Sequence, residues 1–71
     1  MELHDSTGGI ALVENGRFYK LNDEYGYECY VECSKSEFIE YLKRLSWVCL
    51  TSWDKNYRQN YLNLVDYVNA L

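Results

Sequence analysis

Two apolar runs joined by Asn15-Gly16 place the strongest constraint on the fold of this chain. An Asn-Gly pair in this setting favours a two-residue type I′ turn, because both residues tolerate a positive φ and the twist of the turn matches that of the flanking strands. Residues 10–14 and 17–21 are therefore expected to form a β-hairpin. A two-residue loop also fixes which side chains lie opposite each other.

This register gives the hairpin two faces. One face carries the cross-strand pairs Glu14 with Arg17, Leu12 with Tyr19, and Ile10 with Leu21. The other carries Val13 with Phe18 and Ala11 with Lys20. The first face holds more large apolar side chains, so we expect it to face the core.

Residues 27–33 alternate in the manner of a half-buried strand. Tyr27, Cys29, Val31 and Cys33 share one face, and Glu28, Tyr30 and Glu32 share the other. The connections between the three predicted strands are short, which favours an antiparallel meander.

Two helices are expected after the third strand. Ser34 and Glu37 form a capping-box pattern ahead of an apolar stripe, which predicts the start of the first helix. Thr51 or Ser52 is expected to cap the second. The apolar positions of the two helices are Phe38, Ile39, Leu42 and Leu45, then Trp53, Tyr57, Tyr61, Leu64, Val65, Val68 and Leu71.

These elements predict a single α+β domain over residues 1–71, of which residues 1–8 form a flexible lead-in. Its expected architecture is a small two-layer domain, in which a three-stranded antiparallel sheet packs with two helices. Residues 47–50 are open to two interpretations, a fourth short strand or a buried connector, because so short an apolar run has no diagnostic period.

The net charge of −4 is divided unevenly along the 71 residues. Residues 1–40 hold nine acidic and three basic residues, whereas residues 41–71 hold two acidic and four basic ones. Binding to a phosphate backbone needs clustered cations, so direct nucleic-acid binding is disfavoured. A regulatory module associated with nucleic acid is kept as an alternative, based on Lys43, Arg44, Lys55 and Arg58.

Nothing in the sequence predicts a membrane span, a cofactor or an enzyme. No apolar run approaches the ~20 residues of a spanning helix, and the N-terminal residues lack the pattern of a secretory signal. Cys29 and Cys33 lie too far apart along one strand for a tight zinc turn with Cys49 and His4, so we expect buried, inert thiols and no metal. These features indicate a cytoplasmic protein.

The segment 23–32 concentrates four carboxylates and three tyrosines with no basic residue. Tyrosine offers a large, stiff contact area, and clustered carboxylates attract a basic partner from a distance. We therefore expect a partner-binding surface built from acidic and tyrosine side chains of this segment and of the first helix. Its residues are Asp23, Glu24, Tyr25, Glu28, Tyr30, Glu32, Glu37, Glu40 and Tyr41.

In size and in this acidic, tyrosine-rich composition the chain resembles small inhibitor proteins of bacteriophages and mobile elements, such as anti-CRISPR and antirestriction proteins. The resemblance implies an inhibitor that blocks a basic or nucleic-acid-binding site on a larger protein, by occlusion or by partial mimicry of nucleic acid. The alternative is a structural subunit that forms a homodimer through an open sheet edge or through Leu62 and Tyr67 of the second helix.

Overall fold

The computed structural model describes residues 1–5, 8–22 and 29–71, which form an α+β domain of one antiparallel sheet and two helices. The strands occur in the sheet in chain order. The elements are β1 (Glu2–Asp5), β2 (Gly8–Glu14), β3 (Arg17–Asn22), β4 (Cys29–Cys33), α1 (Lys35–Leu50) and α2 (Lys55–Ala70).

The turn at Asn15-Gly16 forms as the sequence predicts. Asn15 has φ 52° and Gly16 has φ 75°, the left-handed values that a type I′ turn requires. The expected register follows, with Val13 opposite Phe18 in an antiparallel ladder. β4 continues the meander, pairing Phe18 with Cys33.

The prediction of which hairpin face lies in the core is wrong. Val13 and Phe18 are buried against the helices, and the Phe18 and Phe38 rings lie 5.4 Å apart between centroids. Leu12 and Tyr19 point to the other side of the sheet and are only half-buried. Both faces of the hairpin carry enough apolar side chains to pack against the helices. Which face is buried therefore depends on the side chains that the helices place against the sheet.

An irregularity between β1 and β2 brings Ile10 into the core as well. Leu3 pairs with Ala11 but His4 pairs with Gly9, so β2 accommodates one extra residue at Ile10. Such a bulge breaks the alternation of faces. Ile10 and Ala11 are consequently both buried although they are adjacent in sequence.

The sheet has its fourth strand at the N-terminus and not at residues 47–50. β1 occupies part of the stretch interpreted as a flexible lead-in, and Leu3 is among the most deeply buried side chains. The Met1 ammonium donates to the Val13 carbonyl at 2.7 Å, and the Val13 amide donates to the Met1 carbonyl at 2.8 Å. A four-residue strand with Leu3 as its one apolar residue leaves no periodic signal.

Residues 47–50 are the last turn of α1. The helix begins after Ser34, whose Oγ accepts a hydrogen bond from the Glu37 amide at 3.2 Å, as the capping pattern predicts. It ends at Leu50, and the amide of the C-cap residue Thr51 donates to the Trp47 carbonyl at 3.2 Å. Phe38, Leu42 and Cys49 are its buried residues.

The N-cap of α2 is Asp54, and not Thr51 or Ser52 as expected. Asp54 Oδ1 accepts hydrogen bonds from the Asn56 and Tyr57 amides at 2.9 and 3.3 Å. The predicted stripe is correct further along the helix, where Tyr61, Leu64 and Val68 are buried. Tyr61 also donates its hydroxyl to the Leu42 carbonyl of α1 at 2.8 Å, which joins the two helices.

Neither α1 nor α2, the helices in the described part of the chain, combines the length and the apolar character required to cross a bilayer.

Candidate protein-binding face of the sheet

The two helices pack on one side of the sheet, and within residues 1–5, 8–22 and 29–71 no segment covers the other side. The buried strand residues Leu3, Ala11, Val13 and Phe18 share one side of the sheet, and both helices lie on that side. We call the uncovered side the open face. The ladder registers assign to it Glu2, Leu12, Glu14, Arg17, Tyr19, Leu21, Tyr30 and Glu32.

A hydrogen bond between the two edge strands organises the open face. Tyr30 on β4 donates its hydroxyl to Glu2 Oε2 on β1 at 2.6 Å. The contact passes over Gly9 on β2, where a Cβ atom would collide with the Tyr30 hydroxyl and lie 2.7 Å from Glu2 Oε2. The absence of a side chain at this position therefore lets the tyrosine lie flat across the sheet.

Burial of the Tyr30 ring raises the pKa of its hydroxyl, and the hydrogen bond to Glu2 and the negative charge of that carboxylate raise it further. The hydroxyl therefore remains a donor above the ordinary tyrosine pKa of about 10. Glu2 Oε1 also lies 2.6 Å from His4 Nε2, so one carboxylate holds two side chains in place. Tyr30 is thereby presented to solvent as a fixed aromatic surface.

The charge of the open face is predominantly negative. It carries three carboxylates, those of Glu2, Glu14 and Glu32, against the guanidinium of Arg17. Arg17 Nε lies 4.0 Å from Glu32 Oε1, and both side chains are more than half exposed. Exposed pairs of this kind contribute little stability, so Glu32 is available to a stronger cationic partner.

The structure divides the predicted partner-binding residues. Tyr30 and Glu32 lie on the open face, as their alternation indicates. Asp23, Glu24, Tyr25 and Glu28 lie outside the described residues.

The three predicted residues on α1 do not join the open face, because α1 packs on the opposite side of the sheet. The Tyr41 hydroxyl donates to the Ile10 carbonyl at 2.7 Å, so this tyrosine is half-buried between helix and sheet. Glu37 and Glu40 are exposed, 4.0 Å from Lys20 Nζ and 3.4 Å from Lys43 Nζ respectively. They border a shallow groove of mixed charge beside β3.

The structure adds residues to the candidate surface that the sequence analysis did not select. Glu2, Leu12, Glu14 and Tyr19 belong to the open face, although Leu12 and Tyr19 were expected in the core. These residues alternate along their strands with buried residues, and this pattern is visible in the sequence. It assigns them to the exposed face only when the buried face is known.

The cysteines are free thiols in very different surroundings. Cys49 is buried as expected, whereas Cys33 is only half-buried and Cys29 is exposed, which contradicts the prediction of buried thiols. Burial raises the pKa of Cys33 and of Cys49, and Cys49 Sγ donates to the Tyr57 hydroxyl at 3.4 Å. Within residues 1–5, 8–22 and 29–71, no group of three metal-ligating side chains is positioned to hold an ion.

The structure also shows where the residues of the two alternative functions lie. β1 and β4 are the edge strands of the sheet. Leu62 and Tyr67 are 43% and 45% exposed on α2. Lys43, Arg44, Lys55 and Arg58 all lie in the helical layer.

Comparison of the chain with protein-family models, with curated proteins and with solved structures finds no match.

Proposed function

We propose that this chain is a cytosolic binding protein that blocks a basic site on a larger protein, with the open face of the sheet as its contact surface. The observation that supports the proposal is the arrangement of Tyr19 and Tyr30 among three carboxylates on the side of the sheet that no described helix covers. In this proposal the chain acts by binding alone, without catalysis or a cofactor.

Each part of the open face has a physical role in such a contact. The half-buried tyrosines and Leu12 supply apolar area at low entropic cost, because the sheet and the Glu2 contact already restrict them. The carboxylates steer the protein toward a cationic surface and reject acidic ones. Tyr30 would be the anchor that slows dissociation.

We propose that the blocked basic site is one that ordinarily binds nucleic acid. In this respect the chain would act like an inhibitor of the anti-CRISPR or antirestriction type. The open face of an antiparallel sheet can cover such a site sterically. Glu2, Glu14 and Glu32 lie on three different strands, so they do not form the single row of charges that a phosphate backbone presents. Occlusion is therefore favoured over mimicry.

Affinity capture with matched baits tests the proposal. The wild-type chain, a Tyr19→Ala/Glu32→Lys variant and a Lys35→Glu control would be immobilised in turn and exposed to extract from the native host. We expect one host protein with a basic nucleic-acid site to be retained by the wild type and by the control but lost with the open-face variant. Added wild-type chain should also displace nucleic acid from that protein. Equal retention by all three baits would refute the assignment of the open face.

A further inference from the structure

The outer edge of β4 leaves backbone hydrogen-bonding groups uncovered. β4 is the last strand of the sheet and pairs with β3 through a ladder that has no irregularity. In the part of the chain that the structure describes, no backbone hydrogen bond from a turn, loop or helix reaches its other edge. A regular strand edge of this kind can accept another strand.

The hydrogen bonds of Val13 show which residues of β4 direct their backbone groups outward. The Val13 amide donates to the Met1 carbonyl and the Val13 carbonyl accepts from the Met1 ammonium, so both groups point away from β3. Val13 and its partner Phe18 are therefore a pair without mutual hydrogen bonds, and Phe18 directs its own amide and carbonyl toward β4. The same alternation continues through the ladder between β3 and β4. Tyr30 and Glu32 consequently direct their amides and carbonyls to the outer edge.

The sequence of β4 is complementary to itself in an antiparallel pairing. A two-fold axis through Val31 places Tyr30 of each copy opposite Glu32 of the other. Because Tyr30 and Glu32 carry the outward groups, each of these pairs can exchange both of its backbone hydrogen bonds. Val31 then lies opposite its own copy, at the closer spacing of a pair without hydrogen bonds.

The side chains of β4 also suit this register. Glu32, the one charged residue of the strand, faces a tyrosine of the other copy, so no like charges lie directly opposite each other. Val31 lies on the helical side of the sheet, where it is 36% exposed. Contact with the same residue of the other copy would remove this apolar side chain from water.

β1, the other edge strand, is unsuited to the same contact. A two-fold axis at its centre would set Glu2 of one copy opposite Asp5 of the other. Its ladder with β2 is also irregular between Leu3 and His4. Charged residues, shortness and bulges protect sheet edges from unwanted pairing, and β1 has all three. β4 has no lysine or proline and no bulge.

The helical layer leaves room for a second copy beside β4. α1 packs chiefly on β3, and α2 packs chiefly on β1. In the proposed pairing the β3 strands of the two copies would lie three strand spacings apart, ~14 Å. Packed helices need only ~8–10 Å between their axes, so the two copies of α1 do not collide.

The charges beside α1 would not oppose the contact. The groove on the side of α1 away from α2 carries two acidic and two basic side chains, which are Lys20, Glu37, Glu40 and Arg44. Across the two-fold axis this groove would face its own copy. A surface with equal numbers of both charges fits a second copy better than it fits a strongly basic or acidic partner.

We infer that β4 pairs with β4 of a second copy, antiparallel and with the two-fold axis at Val31, so that two four-stranded sheets become one of eight strands. Both helical layers would lie on one side of this sheet and both open faces on the other. A contact of one short strand is small, so the dimer forms at high protein concentration. The inference goes beyond the proposed function, since it concerns the edge of the sheet and not its open face.

Measurement of the oligomeric state tests the inference. Sedimentation velocity and light scattering would follow the full chain from about 10 µM to 1 mM. We expect the mean mass of the wild type to rise toward that of a dimer. Val31→Lys places two ammonium groups opposite each other and should weaken self-association by about tenfold or more, with an unchanged circular dichroism spectrum.

Leu62→Lys is the matched control. It introduces the same side chain in place of an aliphatic residue of similar exposure, 43% against 36% for Val31, but on α2. Leu62 also belongs to the other surface considered for a homodimer. Leu62→Lys should therefore self-associate as the wild type does.

Cysteine cross-linking tests the register and needs no substitution in β4. The pairing sets Cys29 of one copy opposite Cys33 of the other, whereas within one chain the two residues lie ~13 Å apart along the strand, too far for a disulfide. Oxidation by copper–phenanthroline in air, with dioxygen as the electron acceptor, should give a covalent dimer linked from Cys29 to Cys33. Cys49→Ser should retain this dimer and Cys33→Ser should lose it.

Several results would overturn the inference. They are a chain that stays monomeric up to 1 mM, self-association that Leu62→Lys weakens and Val31→Lys does not, and an oxidised dimer that is absent or linked between two Cys29 residues. Self-association is measured on the purified chain, and capture of a host protein is a separate experiment on the open face. The two proposals therefore fail separately.

Discussion

The Tyr30 hydroxyl donates to the Glu2 carboxylate at 2.6 Å and so joins β4 to β1, the two edge strands of the sheet. This contact fixes a tyrosine across the open face, and burial together with the neighbouring carboxylate raises the pKa of its hydroxyl above the ordinary value. The face that we assign to partner binding is therefore preorganised before a partner arrives.

Gly9→Ala should disrupt this contact. The added methyl group would collide with the Tyr30 hydroxyl and crowd Glu2, so we expect the free energy of unfolding to fall by about 1–2 kcal/mol. In a Tyr30→Phe background the same substitution should cost clearly less, since the colliding oxygen is gone. A double-mutant cycle by urea denaturation measures the difference. Equal costs in the two backgrounds would mean that Tyr30 does not lie over Gly9.

The assignment of the core face can be tested by truncating neighbours on β3. Phe18→Ala removes a buried ring that packs on Phe38, and it should cost ~3–5 kcal/mol. Tyr19→Ala removes a half-buried ring from the open face and should cost less than half as much. Thermal and chemical denaturation of both variants provide the comparison. A larger cost for Tyr19→Ala than for Phe18→Ala would mean that the core lies on the face that carries Leu12.

The orientation of α2, which buries Leu64 and exposes Asn63, leads to a similar pair of predictions. Leu64 is 1% exposed, so Leu64→Ala should cost ~2–5 kcal/mol through lost burial and a cavity. Asn63 is exposed, and its side chain accepts a hydrogen bond from Gln59 on the surface of the same helix. Asn63→Ala should therefore cost under ~0.5 kcal/mol in the same denaturation assay. Similar costs at both positions would contradict the observed phase.

Local patterns in the sequence were sufficient where one short-range interaction determines the structure. Asn15-Gly16 fixed both the turn and the register, and the Ser34 cap located the start of α1. The alternation of β4 also placed Tyr30 and Glu32 correctly on a common face. Each of these results depends on residues within a few positions of one another.

The remaining features depend on contacts between distant segments. β1 has only Leu3 as an apolar signal and gains its place by pairing with β2. Which hairpin face is buried depends on Phe38, which lies 20 positions after Phe18. The exposure of Trp47 and Trp53 contradicts the general rule that large apolar residues are buried, so sequence patterns alone assign both to the core.

Stability should decline in alkaline solution. Burial raises the pKa of Cys49 and of Tyr57, so the folded chain retains these protons at a pH where the unfolded chain releases them. The stabilisation is fully present below the ordinary cysteine pKa of about 8.5 and is lost as the pH rises through the raised values. Denaturation between pH 7 and 11 should show a falling free energy of unfolding, with a shallower decline above pH ~10 for Tyr57→Phe. A flat profile would contradict the buried environment of these groups.

The association rate with the captured partner tests the role of the open face most directly. Stopped-flow or surface-based kinetics would compare the wild type with Glu14→Lys/Glu32→Lys over a range of salt concentrations, with Lys35→Glu as a control of similar surface exposure. We predict that the wild-type association rate falls steeply with salt, and that the double reversal lowers it by about tenfold or more at low salt while leaving the fold intact. An association rate for the double reversal equal to that of the wild type at low salt would contradict the account.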